Sequence, residues 1–402
     1  MTGTVPPAAV AGLRRLPGHP AAFFGTGAAA RLNAVLAGAG ARRVLLVHGP
    51  SYATGAAARL TRAGRAGYEV HHFGDVRPNP ELGHIEEAVR VIRRLRPDAV
   101  VGIGGGSSMD VAKAASVLAA QDADPADCLG SPDLVGRKRP GRLVLVPTTA
   151  GSGSELTRFA TLYRDGRKLS LDTDGARADV VLVDPELTAT VPVPTTVAGA
   201  LDAFSQAVES SWARTATPQS LEWAEEALHA LLPALGQLAD TGRPAEVRHD
   251  LSLGAALAGA AIDVTRTTAA HALSYALTSR LGLPHGVAVA LHLRWLIGRH
   301  AAATSRECPP PGVRVLHGRV AEIRRTVRAH TGREPEELLA DLLQAGGYPA
   351  DLADLALPAD EWAGVVAEAL HSGRAMNNPC TLTPEDVLGR FVRPSLTEGA
   401  TR

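Results

Sequence analysis

Residues 102–116 read GIGGGSSMDVAKAAS and contain the clearest structural signal in the first half of the chain. An apolar strand runs into three glycines and two serines, and then into an Ala-rich helix. Small residues let backbone amides approach a phosphate at a helix N-terminus, where the helix dipole also favours negative charge. The pattern therefore predicts a pyrophosphate site at Gly104, Gly105, Gly106, Ser107 and Ser108. The motif is neither G-x-G-x-x-G nor a Walker loop, so an ordinary strand-to-helix turn is the alternative.

Strand-like and helical segments alternate through the first half of the chain, which is typical of a parallel sheet with crossover helices. The predicted strands are residues 42–49, 68–74, 98–106, 142–149 and 178–187. From about Pro192 onward Ala- and Leu-rich helical patterns take over, as in PQSLEWAEEALHALLPALGQLAD. We therefore expect a Rossmann-like, dinucleotide-binding α/β domain over residues 1–190 and an all-α domain over residues 191–402.

The composition argues against several classes of partner. Among 402 residues, 41 Lys plus Arg balance 41 Asp plus Glu, so no overall charge attracts nucleic acid or an anionic membrane. No apolar run approaches the roughly 20 residues of a membrane span, and the N-terminal stretch lacks the apolar segment of a signal peptide. Cys128, Cys308 and Cys380 are scattered and have no zinc-type spacing. These features predict a cytoplasmic protein and give the cysteines no role.

A second loop of small residues follows the predicted strand at 142–149. It reads PTTAGSGSE, residues 147–155, and offers the hydroxyl groups of Thr148, Thr149 and Ser152. In an open parallel sheet, ligands bind in the crevice beyond the carboxyl ends of the strands. Two such loops at neighbouring strand ends predict a dinucleotide site.

The helical half contains a candidate metal site. In LDAFSQAVES, residues 201–210, Asp202 and Gln206 are four positions apart and share a helical face. His271 lies on another helical segment, and His285 follows that segment after Gly-Leu-Pro. Two imidazoles, a carboxylate and one more oxygen make a four-ligand divalent site if the fold brings them together. The alternative is that these residues only form hydrogen bonds in the core.

Four motifs occur in the order found in the iron-containing (group III) alcohol dehydrogenase family, and the chain resembles that family over nearly its whole length. They are GGGSSMDVAK, PTTAGSGSE, LDAFSQAVES and HALSYALTSRLGLPHG. The resemblance implies the dehydroquinate synthase-like fold, a homodimer, and metal and nicotinamide meeting between the two domains. It also implies that Asp110 and Lys113 belong to the cofactor site. The family's metal ligands fall on Asp202, position 206, His271 and His285, and His271 is also assigned to catalysis.

Two positions depart from the family pattern. Gln206 stands where the family usually has a histidine, and a neutral amide oxygen is a harder and weaker ligand than imidazole. We expect metal to bind less tightly, and a purely structural role for Gln206 is the alternative. Tyr275 stands where many members have another histidine near the substrate. Its hydroxyl is a candidate proton donor, with a packing role as the alternative.

The same departures resemble one branch of the family, the phosphonoacetaldehyde reductases, which reduce phosphonoacetaldehyde to 2-hydroxyethylphosphonate. Such a small anionic aldehyde requires fixed cations near the cleft. The candidates are Arg158, Lys168, Arg266 and Arg280, of which Arg266 is favoured because it lies five residues before His271. Family resemblance implies Fe(II), with Zn(II) as the alternative, acting as a Lewis acid while NAD(P)H supplies a hydride.

The nicotinamide cofactor is predicted to be NADPH. NAD-specific family members have an aspartate after the strand predicted at 42–49, and this chain has Gly49 there. Without that carboxylate nothing repels a 2′-phosphate, and Ser51 offers it a hydrogen bond. The alternative is that Gly49 only permits a tight turn and that NADH binds as well.

Other functions stay open from the sequence. One is reduction or oxidation of a different small aldehyde or alcohol by the same type of enzyme. Another is a non-redox lyase reaction of the dehydroquinate synthase type, although the Ala- and Leu-rich second half offers few polar contacts for such a substrate. The third is a non-catalytic nucleotide-binding protein in which Gln206 marks a lost metal site.

Overall fold

The computed structural model describes residues 7–53, 55, 57–58, 67–130, 134–136 and 139–391 of the chain. Its strands are β1 Arg14–Arg15, β2 Ala22–Phe24, β3 Arg43–His48, β4 Glu69–Phe73, β5 Ala99–Gly104, β6 Arg142–Pro147, β7 Phe159–Arg164, β8 Arg167–Asp172 and β9 Val180–Val183. Seven of them form the main sheet, in the order β1-β2-β9-β6-β5-β3-β4, and β7 and β8 pair separately. All neighbours in the main sheet are parallel except β1 and β2.

All five predicted strands are present, as β3, β4, β5, β6 and β9. Their apolar character reflects burial on both faces, which is usual for parallel sheets covered by helices. In β5, for example, Val100 faces one hydrophobic cluster and Val101 faces the other. The predicted Rossmann-like parallel sheet is thereby confirmed.

The β7–β8 hairpin was not predicted, although the sequence signals it. Asp165 and Gly166 both have positive φ, at 52° and 73°. Asp-Gly in that conformation forms the tight turn whose twist suits a two-residue hairpin. This hairpin carries Lys168 opposite Tyr163.

Helices cover the sheet and form the rest of the molecule. Those up to residue 130 are α1 Leu32–Gly38, α2 Leu82–Leu95, α3 Gly106–Leu118 and α4 Pro125–Gly130. The later ones are α5 Val193–Trp212, α6 Pro218–Thr241, α7 Arg248–Thr265, α8 Ala269–Leu281, α9 His285–Ala301, α10 Val313–Thr331, α11 Pro335–Ala345, α12 Ala359–Leu370, α13 Gly373–Met376 and α14 Pro384–Leu388. This helical part has its own core, centred on α5. Within the described ranges, no helix is long and apolar enough to cross a membrane.

Glycines let the loop after β6 touch helix α5. A Cβ added at Gly199 would lie 2.2 Å from the Ala150 carbonyl oxygen, and one at Gly151 would lie 2.7 Å from the Gly199 Cα. Only glycine permits backbones to approach this closely. The contact places the small-residue loop that follows the sheet directly against the helix that bears Asp202.

Two of the three cysteines are paired. Cys308 and Cys380 form a disulfide that joins positions 72 residues apart, whereas Cys128 is free and buried. The sequence assigned no role to these cysteines, because residues so far apart in the chain give no local signal. The disulfide gives Cys308 and Cys380 a structural role.

Candidate active site

Helices α5, α8 and α9 bring together three of the four candidate metal ligands. Asp202, His271 and His285 each offer a ligand atom within 4.8 Å of those of the other two. His271 Nε2 lies 3.2 Å from Asp202 Oδ1, and the two imidazole rings are 5.3 Å apart between centroids. A carboxylate and two imidazoles at such distances are a suitable donor set for a divalent ion.

The approach of α9 to α5 depends on the residue that follows His285. A Cβ at Gly286 would lie 1.9 Å from the Ala198 carbonyl oxygen and 2.9 Å from the Asp202 Cβ. No side chain fits in that space, so the start of α9 can contact α5 only because position 286 is glycine. This contact sets His285 beside Asp202.

Gln206 lies one helical turn after Asp202, and both side chains are buried on the same cavity. The Gln206 Nε2 donates a 3.2 Å hydrogen bond to the Ser152 carbonyl oxygen. Its Oε1 is buried without a hydrogen-bond partner among the described residues. Because a buried unsatisfied oxygen is costly, this atom fits an additional ligand to an ion held by the other three residues.

The charges of Asp202 and His285 suit cation binding, whereas a metal would have to displace a proton from His271. Burial opposes protonation of His271, but the carboxylates of Glu209 and Asp202 raise its pKa. Burial opposes ionisation of Asp202, but the hydrogen bond with His271 and the charges around it lower the pKa of this carboxyl. Burial, together with the nearby Lys168 ammonium, lowers the pKa of His285 to about 3. The imidazole of His285 is therefore neutral at physiological pH and has a lone pair for a metal.

A cavity of about 490 Å³ adjoins the four candidate ligands. Two cationic side chains, Lys168 and Arg374, line the same cavity together with Tyr275. The Lys168 Nζ lies 3.9 Å from the Tyr275 ring centroid, and Arg374 donates a 2.8 Å hydrogen bond to Thr267 Oγ1. The cavity therefore combines a metal-type donor set with positive charge, an arrangement that suits a small anionic molecule.

Arg374 was missed in the sequence. It lies on the short helix α13, far along the chain from every motif, and no local pattern points to it. The neighbouring Asn377 fixes this segment by donating hydrogen bonds to the carbonyl oxygens of Thr265 and Thr267, at 2.8 and 3.2 Å. Only the fold shows that this arginine faces the cavity.

Three other predicted substrate cations do not line the cavity. Arg266, the favoured one, ends α7 with φ 62°, and its guanidinium pairs with Asp172. Arg158 also pairs with Asp172, with 3.1 Å between Nε and Oδ1. Arg280 is exposed and lies over the Trp362 ring. Proximity to His271 in sequence misled the choice of Arg266, because the chain turns at the end of α7 and directs this side chain elsewhere.

A second cavity of about 270 Å³ lies at the carboxyl ends of the strands. Predicted cofactor residues line both cavities, and each cavity is lined by residues at or next to the N-terminus of α3. Gly49, Ser51, Gly104, Gly105, Ser108, Thr148 and Thr149 line the second cavity, and Gly106, Ser107, Asp110 and Ser152 line the larger one. An elongated dinucleotide fits this distribution, with its phosphates near the helix N-terminus.

Lys113 is placed differently from the other predicted cofactor residues. It is fully buried, and its ammonium donates hydrogen bonds to both oxygens of Ser154, at 2.7 and 2.9 Å, and to Thr157. Asp110 is similarly engaged, because its carboxylate accepts from Ser154 Oγ at 2.5 Å and from the Thr161 amide at 2.9 Å. Lys113 therefore supports the loop after β6, and it lines neither cavity.

Comparison with known proteins agrees with this geometry. The family model described as iron-containing alcohol dehydrogenase matches residues 20–185. The model described as Fe-containing alcohol dehydrogenase family, C-terminal, matches residues 196–392. The chain is 35% identical over 381 residues to a phosphonoacetaldehyde reductase from Streptomyces viridochromogenes, covering 90% of this chain and 93% of that protein.

Two further relatives show how widely the fold is shared. Long-chain-alcohol dehydrogenase 1 from Geobacillus thermodenitrificans is 35% identical over 284 residues, which cover 69% of this chain and 71% of that protein. The crystal structure of sulfoacetaldehyde reductase from Bifidobacterium kashiwanohense in complex with NAD+ superposes with a TM-score of 0.80 at 28% identity, covering 92% and 96% of the two chains. The chain belongs to the iron-containing alcohol dehydrogenase family of oxidoreductases.

Proposed function

We propose that this oxidoreductase reduces a short aldehyde bearing an anionic group, namely phosphonoacetaldehyde, to its primary alcohol, 2-hydroxyethylphosphonate. The observation that supports this most is that the cavity beside Asp202, His271 and His285 is also lined by Lys168 and Arg374. Relatives named for phosphonoacetaldehyde and sulfoacetaldehyde, both small aldehydes with an anionic end, point to the same class of substrate.

The roles of the side chains follow from their positions. When bound, a divalent ion supplies Lewis-acid polarisation of a carbonyl oxygen, and a reduced nicotinamide supplies a hydride. Asp202, Gln206, His271 and His285 hold the ion. Lys168 and Arg374 bind the phosphonate, which fixes the direction in which the aldehyde enters. These contacts orient the aldehyde carbon toward the part of the cavity lined by the residues at the start of α3.

The proton that completes the alcohol comes from water or from Tyr275. Burial raises the pKa of the Tyr275 phenol, so its hydroxyl stays protonated at neutral pH. Arg374, on the same cavity, acts on this phenol in the opposite direction to burial. The hydroxyl oxygen is buried without a hydrogen-bond partner among the described residues. It is therefore available to a substrate oxygen in the same cavity.

NADPH is the proposed cofactor and Fe(II) the proposed metal, with NADH and Zn(II) as the alternatives. Gly49 and Ser51 line the nucleotide cavity, and neither supplies the carboxylate that would repel a 2′-phosphate. Iron is proposed from the family to which the chain belongs. A homodimer is proposed from the family resemblance, and a cytoplasmic location from the sequence features described above.

The test is NADPH oxidation by the purified, metal-loaded enzyme with a panel of aldehydes. We expect phosphonoacetaldehyde to give a kcat/KM at least tenfold above that of propanal, and chelation of the metal to abolish both rates. Equal turnover of the two aldehydes would favour a general alcohol dehydrogenase, like the long-chain relative. Absence of net NADPH oxidation with every aldehyde would leave the lyase alternative and the non-catalytic nucleotide-binding alternative, which metal analysis of the purified protein separates.

A further inference from the structure

Glu209 lies two helical turns after Asp202 on α5, is fully buried, and lines neither cavity. Its Oε2 contacts His271 Nδ1. Its Oε1 accepts hydrogen bonds from Thr268 Oγ1 at 2.7 Å and from the Ala270 amide at 2.8 Å. A buried carboxylate needs several donors to offset its lost hydration, and Glu209 has them.

The contact with Glu209 determines which nitrogen of His271 is open to a metal. A carboxylate accepts hydrogen bonds and does not donate them, so a hydrogen lies on His271 Nδ1. The other nitrogen, Nε2, lies 3.2 Å from the Asp202 carboxylate and carries a hydrogen in the metal-free protein. A metal ion that displaces this hydrogen would use the Nε2 lone pair, while Nδ1 keeps its hydrogen for Glu209. Without the contact with Glu209, the ring could rotate or keep its single hydrogen on Nε2, where it would block a metal.

Glu209 is itself held in place by the neighbouring segment. Thr268, which donates to Glu209, accepts a 3.2 Å hydrogen bond from the Trp212 indole nitrogen. A chain of hydrogen bonds therefore runs from the end of α5 through Thr268 and Glu209 to His271. These linked hydrogen bonds leave the Glu209 carboxylate little freedom to move away from the His271 imidazole.

We propose that Glu209 is a positioning residue that sets the tautomer and orientation of His271 and thereby raises the affinity for the divalent ion. Its negative charge, with that of Asp202, gives two carboxylates to balance a divalent ion. The negative charge of Glu209 is of particular value in this protein because Gln206, as a proposed ligand, is neutral. The inference rests on the proposed metal site, and it adds a residue that does not itself touch the metal.

The test is the affinity of metal-free protein for Zn²⁺, measured by competition with a chromophoric chelator. Glu209→Gln keeps the shape of the side chain but can turn an N–H toward His271 Nδ1, which favours the wrong tautomer. We expect Zn²⁺ affinity to fall by about 10- to 100-fold, as is typical when a supporting group of a metal ligand is lost. Ser210→Ala is the matched control, because Ser210 is equally buried on α5 but contacts Thr265 instead. Its Zn²⁺ affinity is expected to stay within twofold of wild type.

A spectroscopic measurement separates positioning from general stability. The visible absorption of bound Co²⁺ reports the ligand geometry, so it should change in Glu209→Gln and not in Ser210→Ala. An unchanged Zn²⁺ affinity and an unchanged Co²⁺ spectrum in a folded Glu209→Gln protein would overturn the role of Glu209. The proposed metal site would not be affected by that result. A wild-type protein that binds no Zn²⁺ would instead overturn the proposed metal site. If Glu209→Gln does not fold, Thr268→Val must lower Zn²⁺ affinity at least threefold, and an unchanged value contradicts the inference.

Discussion

Gln206 donates its amide hydrogen to the Ser152 carbonyl oxygen and thereby leaves its own Oε1 buried on the cavity of Asp202, without a partner in the described part of the chain. This relationship joins the loop after β6 to helix α5. It also leaves the amide oxygen as the end of Gln206 that has no hydrogen-bond partner within the described ranges. Such an oxygen on the residue one turn after Asp202 can replace an imidazole as a ligand.

The close contact at Gly286 predicts a large effect from one methyl group. In Gly286→Ala the new Cβ would clash with the Ala198 carbonyl oxygen and push α9 away from α5. We expect the free energy of unfolding to fall by about 1–3 kcal/mol, as overpacking typically costs, and metal affinity to fall with it. Chemical denaturation and metal titration measure the two effects.

Gly318→Ala is the control for that substitution. Gly318 lies within α10, and an added Cβ there would meet no atom within 4 Å. Alanine favours a helix interior over glycine, so this variant should gain about 0.5–1 kcal/mol. Equal stability of the two variants would show that the approach of α9 to α5 does not depend on Gly286.

Removal of either cavity cation should affect charged substrates selectively. Lys168→Ala and Arg374→Ala each remove a charge-assisted contact, which is worth about 1.5–3 kcal/mol. We expect kcat/KM to fall by the corresponding factor for phosphonoacetaldehyde and to change little for propanal. Steady-state kinetics with both aldehydes gives the comparison. The exposed Arg280→Ala serves as control and should leave both values near wild type.

The pKa of Lys168 predicts that kcat/KM for an anionic aldehyde depends on pH. Burial and the neighbouring Arg374 lower the pKa of the Lys168 ammonium to about 7, while the carboxylates of Asp202 and Asp110 act in the opposite direction. The cationic form exists below this pH and is lost as pH rises through it. The kcat/KM for an anionic aldehyde should therefore decline above about pH 7.

Sulfoacetaldehyde is the suitable probe for this pH profile, because its sulfonate keeps one charge throughout. In Lys168→Arg the cation persists to high pH, since a guanidinium remains protonated. The decline should then disappear. A decline of the same size in both proteins would assign the titration to another group.

The glycine at position 49 predicts a preference for NADPH over NADH. Wild-type enzyme should have a higher kcat/KM with NADPH than with NADH. In Gly49→Asp a carboxylate would face the 2′-phosphate, and such a like-charge contact costs several kcal/mol, so the ratio should shift toward NADH by more than tenfold. Gly49→Ala isolates the steric part, because any Cβ there lies 3.0 Å from the Val76 carbonyl oxygen. A wild-type preference for NADH contradicts this prediction.

The sequence predicted the parts of the molecule that depend on local patterns. Buried parallel strands such as β5 are continuous apolar runs, and the glycines at 104–106 indicate the turn into α3. Motif spacing and family resemblance predict the candidate metal ligands. Their convergence, however, depends on close contacts such as the one at Gly286, and spacing alone does not show such contacts.

The substrate cations show where sequence reasoning fails. Its nearness to His271 in the chain favours Arg266, yet the guanidinium of Arg266 pairs with Asp172. Arg374 has no neighbouring motif, and only the folding of α13 against α8 brings it to the cavity. Side-chain direction at the end of a helix and contacts between distant segments are properties of the tertiary structure.

A crystal structure of the metal-loaded enzyme with 2-hydroxyethylphosphonate, with the metal located by anomalous scattering, tests the proposed metal site and the proposed substrate together. We expect one ion about 2.0–2.3 Å from Asp202 and from a nitrogen each of His271 and His285. We also expect Gln206 Oε1 to face the ion and the phosphonate to contact Lys168 and Arg374. An ion bound elsewhere, or a phosphonate turned away from both cations, would contradict the central claim.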